Sequence, residues 1–211
     1  MTLASLIELL RKDYLDDSVV TKQRWDDAFF IRAFSEAQKQ ACNRTDFIFT
    51  DSLTITLVAG TGSYVLPANL TKLLCLVFDN RELSKSLPEQ LREDWRELTG
   101  FSDTTDRKYI VRGNLVTFTP TPDSVDTGLL VTIEGFTQPS SFTATTESPV
   151  IPVEYHKDLI HWVLHEAYSN DDYLDVRDEQ KSAAHLAQFD KTFGKPVAAN
   201  VRKHQFETNM R

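Results

Sequence analysis

Residues 147–196 read Glu147-Ser-Pro-Val-Ile-Pro-Val-Glu-Tyr-His156, an apolar run to Tyr168, the acidic break Asn170-Asp171-Asp172, and a second run ending at Phe193-Gly194. This stretch predicts a helical hairpin. Pro149 and Pro152 favour an extended entry, because proline fixes φ and restricts the residue before it. Beyond them, apolar residues recur on one helical face: Leu159, Ile160, Val163, Leu164, Ala167 and Tyr168.

The second helix of the hairpin has a thinner apolar stripe, made of Val176, Ala183, Ala184, Ala187 and Phe193. Its alanines predict a close approach between the two helices. Gly194 followed by Pro196 predicts the end of the helix. The acids of the break are suited to the N-terminus of this helix, where the helix dipole favours negative charge.

The first 43 residues predict two further helices. A short amphipathic helix carries Leu3, Leu6, Ile7, Leu10 and Tyr14 on one face. A longer helix runs from about Lys22 to Asn43, and its main stripe consists of Phe30, Ala33, Phe34, Ala37 and Ala41. Trp25, Phe29 and Ile31 lie off that stripe. Such a helix needs cover on more than one side, from its own domain or from a neighbouring subunit.

The middle of the chain predicts β-strands. Leu53, Ile55 and Leu57 alternate with threonines, and Leu129–Phe136 forms another strand. The continuous apolar run Leu73–Phe78 predicts a strand buried on both faces. Gly113-Asn114 is suited to a tight hairpin turn. One helix is predicted here, from Pro88 to Leu98.

The predicted fold class is therefore α+β: a helical bundle with an inserted strand-rich region, a C-terminal helical hairpin and an extended tail. The expected parts are helices at 1–50, the inserted β-rich region with one helix at 51–146, the hairpin at 147–196 and the tail at 197–211.

Charge and composition limit the classes of partner. The net charge of −8 argues against a protein that grips nucleic acid through its phosphates. No apolar run approaches the ~20 residues of a membrane span, so no membrane partner is expected. The first residues lack a basic n-region, which argues against a signal peptide. Cys42 and Cys75 are predicted to be buried free thiols, as expected in a reducing compartment.

No motif predicts a catalytic centre, a metal site or a cofactor. His161, His165 and Glu166 stand in the order His-x-x-x-His-Glu, whereas zinc proteases need the glutamate between the two histidines. We interpret them as a solvent-facing or interface group, with a metal site as the alternative. The acids from Asp171 to Asp178 lack the glycine and the final glutamate of a calcium loop.

The tail beyond Pro196 has two interpretations. Val201, Phe206 and Met210 are spaced to form one apolar edge, and Arg202, Lys203 and Arg211 add positive charge. Such a segment is either a plain disordered end or a partner-binding segment that orders on binding.

Several short segments, taken in order, resemble one family. The sequence resembles the head-to-tail adaptor (connector, or neck) proteins of tailed bacteriophages, including the tail accessory factors of short-tailed phages. The resemblance spans nearly the whole chain and is carried by the order of these segments: Trp25–Arg44, Tyr64-Val65-Leu66-Pro67, Asp79-Asn80-Arg81-Glu82-Leu83, Trp95 with Gly100, Thr117-Phe118-Thr119-Pro120-Thr121-Pro122, Pro149-Val150-Ile151-Pro152 and Phe193-Gly194.

The resemblance implies a structural protein of the virion neck, assembled in the host bacterial cytoplasm. It implies a ring, typically of twelve copies, bound beneath the portal protein and joining the DNA-filled head to the tail. The C-terminal segment would clamp the portal, tail or nozzle proteins would bind below, and double-stranded DNA would pass through the channel without specific contacts. Trp25, Phe29 and Ile31 are then expected at the contact between neighbouring subunits.

The resemblance leaves one enzymatic alternative. Some related tail accessory proteins are reported to degrade peptidoglycan, so a cell-wall hydrolase on the same fold is the second hypothesis, although no residue constellation supports it. A soluble regulatory module unrelated to virions is the third.

Overall fold

The computed structural model of the chain describes residues 1–15, 24–86, 107–169 and 176–196. These residues form two compact units. One comprises the described residues of the ranges Met1–Ile48 and Gln138–Arg211, and the other is Phe49–Thr137. The first unit is helical and the second consists of strands. The predicted α+β fold class is confirmed.

Four α-helices build the described part of the helical unit: α1 (Leu3–Asp13), α2 (Asp27–Arg44), α3 (Leu159–Ser169) and α4 (Val176–Phe193). A short 3₁₀ turn at Val153–Tyr155 precedes α3. The stripes expected on α1, α2 and α3 form one core, except that Tyr14 follows the end of α1 and is 45% exposed. The largest fully buried side chains of this core are Leu3, Leu6, Leu10, Phe30, Phe34 and Phe189. Burying each of these side chains contributes about 1.5–3 kcal/mol.

The start of α2 differs from the sequence prediction. The helix begins at Asp27, and the predicted start at Lys22 lies outside the described residues. The Asp26 carboxylate accepts a hydrogen bond from the Phe29 amide over 2.7 Å and satisfies a free donor of the first turn. Trp25 therefore precedes the helix, and its placement on the helix was wrong.

Residues 138–152, which contain no helix or strand, return from β8 towards α3 and cover a second side of α2. The Ser35 hydroxyl oxygen accepts the Phe142 amide over 2.9 Å, and the Gln38 side-chain oxygen accepts the Val150 amide over 2.7 Å. Ser35 and Gln38 both lie on the buried face of α2. This returning segment thus finds partners for its backbone on the helix that it covers.

The contact face of α4 also differs from the prediction. Ala183, Ala184 and Ala187 are exposed, so they do not mediate the close approach expected of them. Ser182, Phe189 and Phe193 are buried instead. Because the two phenyl rings offer far more apolar area than the alanines, the helix is rotated to bury the rings.

The described residues of the strand unit form two four-stranded sheets. One has the order β1-β8-β3-β4 and the other the order β2-β7-β6-β5. Their strands are β1 (Phe49–Thr56), β2 (Ser63–Val65), β3 (Leu70–Phe78), β4 (Arg81–Glu82), β5 (Ser84–Lys85), β6 (Lys108–Arg112), β7 (Leu115–Thr119) and β8 (Leu130–Thr137).

The hairpin turn at Gly113-Asn114 is confirmed, since β6 pairs antiparallel with β7 and Gly113 has φ +62°.

Burial within the strand unit is one-sided. The expectation that Leu73–Phe78 is buried on both faces was wrong. Leu76 and Phe78 point to the core while Leu74 is 45% exposed, because a register shift between Leu73 and Cys75 turns the chain there.

Some predictions lie outside the described residues. These are the helix Pro88–Leu98 with Trp95 and Gly100, the acidic break at 170–172 and the tail at 197–211.

Gly135 tests the close pairing of β8 with β3. A methyl group on Gly135 would overlap the Lys72 carbonyl oxygen and touch Leu70 Cδ1. We expect Gly135→Ala to lower the free energy of unfolding by about 1–3 kcal/mol, as overpacking does. Urea unfolding measures this loss. Gly62→Ala is the control, because its nearest contact is the Thr121 side chain at 3.2 Å. An equal loss in both variants would contradict the close pairing.

Candidate functional site

Of the three residues expected at a subunit contact, Trp25 and Phe29 are in ring contact at the start of α2, and Ile31 lies apart from them. The ring centroids of Trp25 and Phe29 are 6.5 Å apart, and both side chains are half-buried against the helical core. The Arg24 guanidinium lies 5.0 Å from the Trp25 ring centroid, and that of Arg32 lies 5.5 Å from the Phe29 ring centroid. This cationic aromatic surface, Arg24, Trp25, Phe29 and Arg32, has the composition of interface hot spots.

Ile31 belongs to an adjoining groove of about 490 Å³. The groove is lined along α2 by Ala28, Ile31, Arg32, Ser35, Glu36 and Lys39, and it is closed by Ser141, Phe142 and Glu166. Lys39 Nζ donates to Ser141 Oγ over 2.8 Å. Burial raises the pKa of Glu166, although its carboxylate accepts a 2.9 Å hydrogen bond from the Trp162 indole nitrogen. The groove thus has an apolar floor with charges of both signs.

The expected tail residues, Val201, Arg202, Lys203, Phe206, Met210 and Arg211, lie outside the described residues. The structure does describe the point from which this segment continues, at Gly194–Pro196. Arg44, the last residue of α2, contacts the end of α4 at this point. Sequence reasoning missed this contact. The available signal was a single arginine at a predicted helix end.

The histidines that resembled a metal motif belong to the α3–α4 contact. The Nδ1 atoms of His161 and His185 are 3.2 Å apart, so one ring donates to the other. His165 Nδ1 lies 2.7 Å from Ser182 Oγ, which also lies 2.6 Å from Ser169 Oγ. The Tyr168 ring stacks on His185 at 5.9 Å. These residues form a polar seam between two helices of the same chain.

The described ranges hold no group of three His, Cys, Asp or Glu side chains placed to bind a metal ion. Cys42 and Cys75 are free thiols, as expected, although Cys75 is only half-buried. Burial raises the pKa of both thiols to about 12, with the Glu134 carboxylate adding to the effect at Cys75. Neither cysteine ionises at neutral pH, so neither has the low thiol pKa of a reactive cysteine.

A comparison with protein families identifies the family to which the chain belongs. The family model described as SU10 adaptor protein matches residues 1–210. The chain belongs to the SU10 adaptor protein family. A comparison with curated proteins gave no match.

Membership of the SU10 adaptor family indicates a structural adaptor of a bacteriophage and a component of the virion. An adaptor interacts with other head and tail proteins, and a structural family of this kind favours a non-enzymatic role. In the parts of the chain that the structure describes, no helix is both long and apolar enough to cross a bilayer. The informative surfaces of this SU10 adaptor are therefore those able to meet other proteins.

The polar seam of this SU10 adaptor predicts a loss of stability in mild acid. Burial lowers the pKa of His161 and His185 below 6.5, and the positive charges of His161 and His165 lower that of His185 further. Asp158 opposes the shift at His161. As the pH falls, the two histidines take up protons in the unfolded chain at a higher pH than in the folded protein. The stability that the two neutral histidines contribute is therefore complete above pH 6.5 and is lost as the pH falls through the lowered pKa values. Urea unfolding from pH 7.5 to 5 measures the loss.

The matched control is the double variant His161→Gln and His185→Gln. Glu166, with a raised pKa, and the other titrating groups remain in both proteins, so their contributions largely cancel in the difference. We expect a shallower fall in the free energy of unfolding for the double variant. An equal fall in both proteins would show that the two imidazoles are not the source.

Proposed function

We propose that the protein forms a ring beneath the phage portal and joins the DNA-filled head to the tail. The observation that carries this proposal is the SU10 adaptor match over residues 1–210. Twelve copies are the number we infer from the resemblance to neck proteins. Tail or nozzle proteins bind the side of the ring away from the portal, and assembly takes place in the host cytoplasm.

A closed ring needs two different patches on each subunit, which meet around the rotation axis. We propose the cationic aromatic surface and the adjoining groove with Ile31 as one of these patches. Half-buried Trp25 and Phe29 keep apolar area available to a neighbour, and arginines beside them are suited to a desolvated contact. The groove continues this area along α2.

Trp25→Ala tests this patch. The ring of Trp25 is only half-buried against the helical core and lies before the helix, so its removal should cost less folding energy than the loss of a fully buried ring. We expect ring assembly on the portal to weaken at least ten-fold, since a truncated aromatic hot spot costs about 2 kcal/mol or more. Native mass spectrometry measures assembly and thermal melts measure folding.

Phe49→Ala is the control for Trp25→Ala. Phe49 is a 52% exposed aromatic residue of the strand unit, with one ring neighbour at 6.0 Å. The Phe49→Ala variant should assemble into rings on the portal as well as the wild type does. If Trp25→Ala reduced folding and assembly equally, or if both variants lost assembly alike, the proposed patch would be wrong.

We propose that the tail at 197–211 docks on the portal. Its sequence combines an apolar edge with basic residues, so apolar anchors provide affinity and charge guides the encounter. The segment is expected to order when it binds.

Deletion of Ala198–Arg211 tests tail docking. We expect the thermal midpoint to change little, because the described core residues all precede this segment. Portal affinity should fall at least ten-fold, as measured by biolayer interferometry on immobilised portal. A deletion variant with unchanged affinity would leave the segment as a plain end of the chain. A scrambled tail of the same composition is the matched control, and it should bind as weakly as the deletion.

We propose that DNA passes through the ring without specific contacts. The net charge of −8 supports this, because like charge prevents tight binding of phosphates. Within the described ranges, acids outnumber basic residues by only two. The remaining negative charge therefore belongs to the other parts of the chain.

A further inference from the structure

Arg44 joins the ends of two helices that are distant in sequence. It is the last residue of α2, and its side chain is 3% exposed. Its Nη1 atom donates to Asp190 Oδ1 over 2.6 Å and to the Gly194 carbonyl oxygen over 3.0 Å. The guanidinium carbon lies 4.9 Å from the Phe189 ring centroid and 5.5 Å from that of Trp162. A charge buried to this degree needs such partners.

Gly194 is held on both sides of its peptide backbone. Its amide donates to the Asp190 carbonyl oxygen over 2.9 Å, and its own carbonyl oxygen accepts from Arg44. Its φ of +84° is the left-handed conformation that ends helices. Pro196 then restricts the next backbone angles. The path of the chain from the end of α4 is therefore set by Arg44 and by the residues around it.

We infer that Arg44 is the positioning residue of the C-terminal segment. It holds the origin of residues 197–211 against the end of α2, so the segment leaves the helical unit at one place. This inference rests on the proposed function, in which the segment docks on the portal. A tethered segment binds in proportion to its effective concentration at the second site, and this concentration depends on where the tether begins.

Four proteins test the inference: the wild type and Arg44→Met, each with and without Ala198–Arg211. The tail gain is the portal Kd of the truncated form divided by the Kd of the full chain. We expect the tail gain to fall about three- to ten-fold in Arg44→Met, as an effective concentration does when its geometry is lost. The two truncated proteins should bind alike, because the positioned segment is absent from both.

Arg11→Met is the matched control. Arg11 is also a buried arginine of the helical unit, with a side chain 8% exposed and a 2.8 Å contact to Asp27. Its guanidinium lies 4.9 Å from the Phe30 ring centroid, much as that of Arg44 lies over Phe189. Arg11→Met should lose a similar amount of stability and keep the wild-type tail gain. A purely structural role of Arg44 would leave the two variants equal.

Hydrogen exchange gives a local readout. The Gly194 amide should exchange faster in Arg44→Met than in Arg11→Met, because only the former releases the end of α4. Gly194→Ala provides a second variant, since this residue is exposed and a methyl group there meets only open space. The left-handed φ strains the alanine, so the helix end shifts and the tail gain should again fall.

The outcomes separate the inference from the proposed function. If truncation of the wild type leaves portal affinity unchanged, tail docking and the positioning role are both overturned. If truncation weakens binding and Arg44→Met keeps the full tail gain, only the positioning role is overturned. Should Arg44→Met fail to fold, the tail gain of Gly194→Ala decides in the same way.

Discussion

The helical unit depends on the burial of α2 on more than one side. Phe30, Phe34 and Ala41 pack into the helical core, while Ser35 and Gln38 receive the backbone amides of the returning segment. An irregular segment can cover a helix only when its peptide groups find partners. Two polar side chains on a buried face therefore decide how the chain returns from the strand unit to α3.

This cover explains which part of α2 remains for a partner. The helix has more apolar surface than one packing face needs, and most of the surplus is used within the chain. What remains is the cationic aromatic surface at the N-terminal end of α2 and the adjoining groove, which runs along the helix as far as Lys39, while Arg44 holds the C-terminal end. The same helix thus carries the proposed subunit contact at one end and the proposed origin of the portal-docking segment at the other.

Sequence patterns predicted those elements whose information is local. The α3 stripe and the Gly113-Asn114 turn were right because periodicity and turn chemistry are read over a few residues. The face of α4 was wrong, because alanines fit a contact or an exposed surface equally well and Phe189 was left out of the stripe. The pairing of Arg44 with Asp190 joins residues 146 positions apart, and no periodicity reports such a contact. The broader class, a phage head-to-tail adaptor, was accessible through the order of short segments, and the family match is consistent with it.

The central claim is that this chain forms a ring on the portal. The most direct measurement is the mass of the particle formed when the purified protein is mixed with its portal, determined by native mass spectrometry or mass photometry. The account predicts a single complex whose added mass equals a whole ring of 24.1 kDa subunits, saturating at one ring per portal. A continuous series of partly occupied portals, or no complex at all, would contradict it.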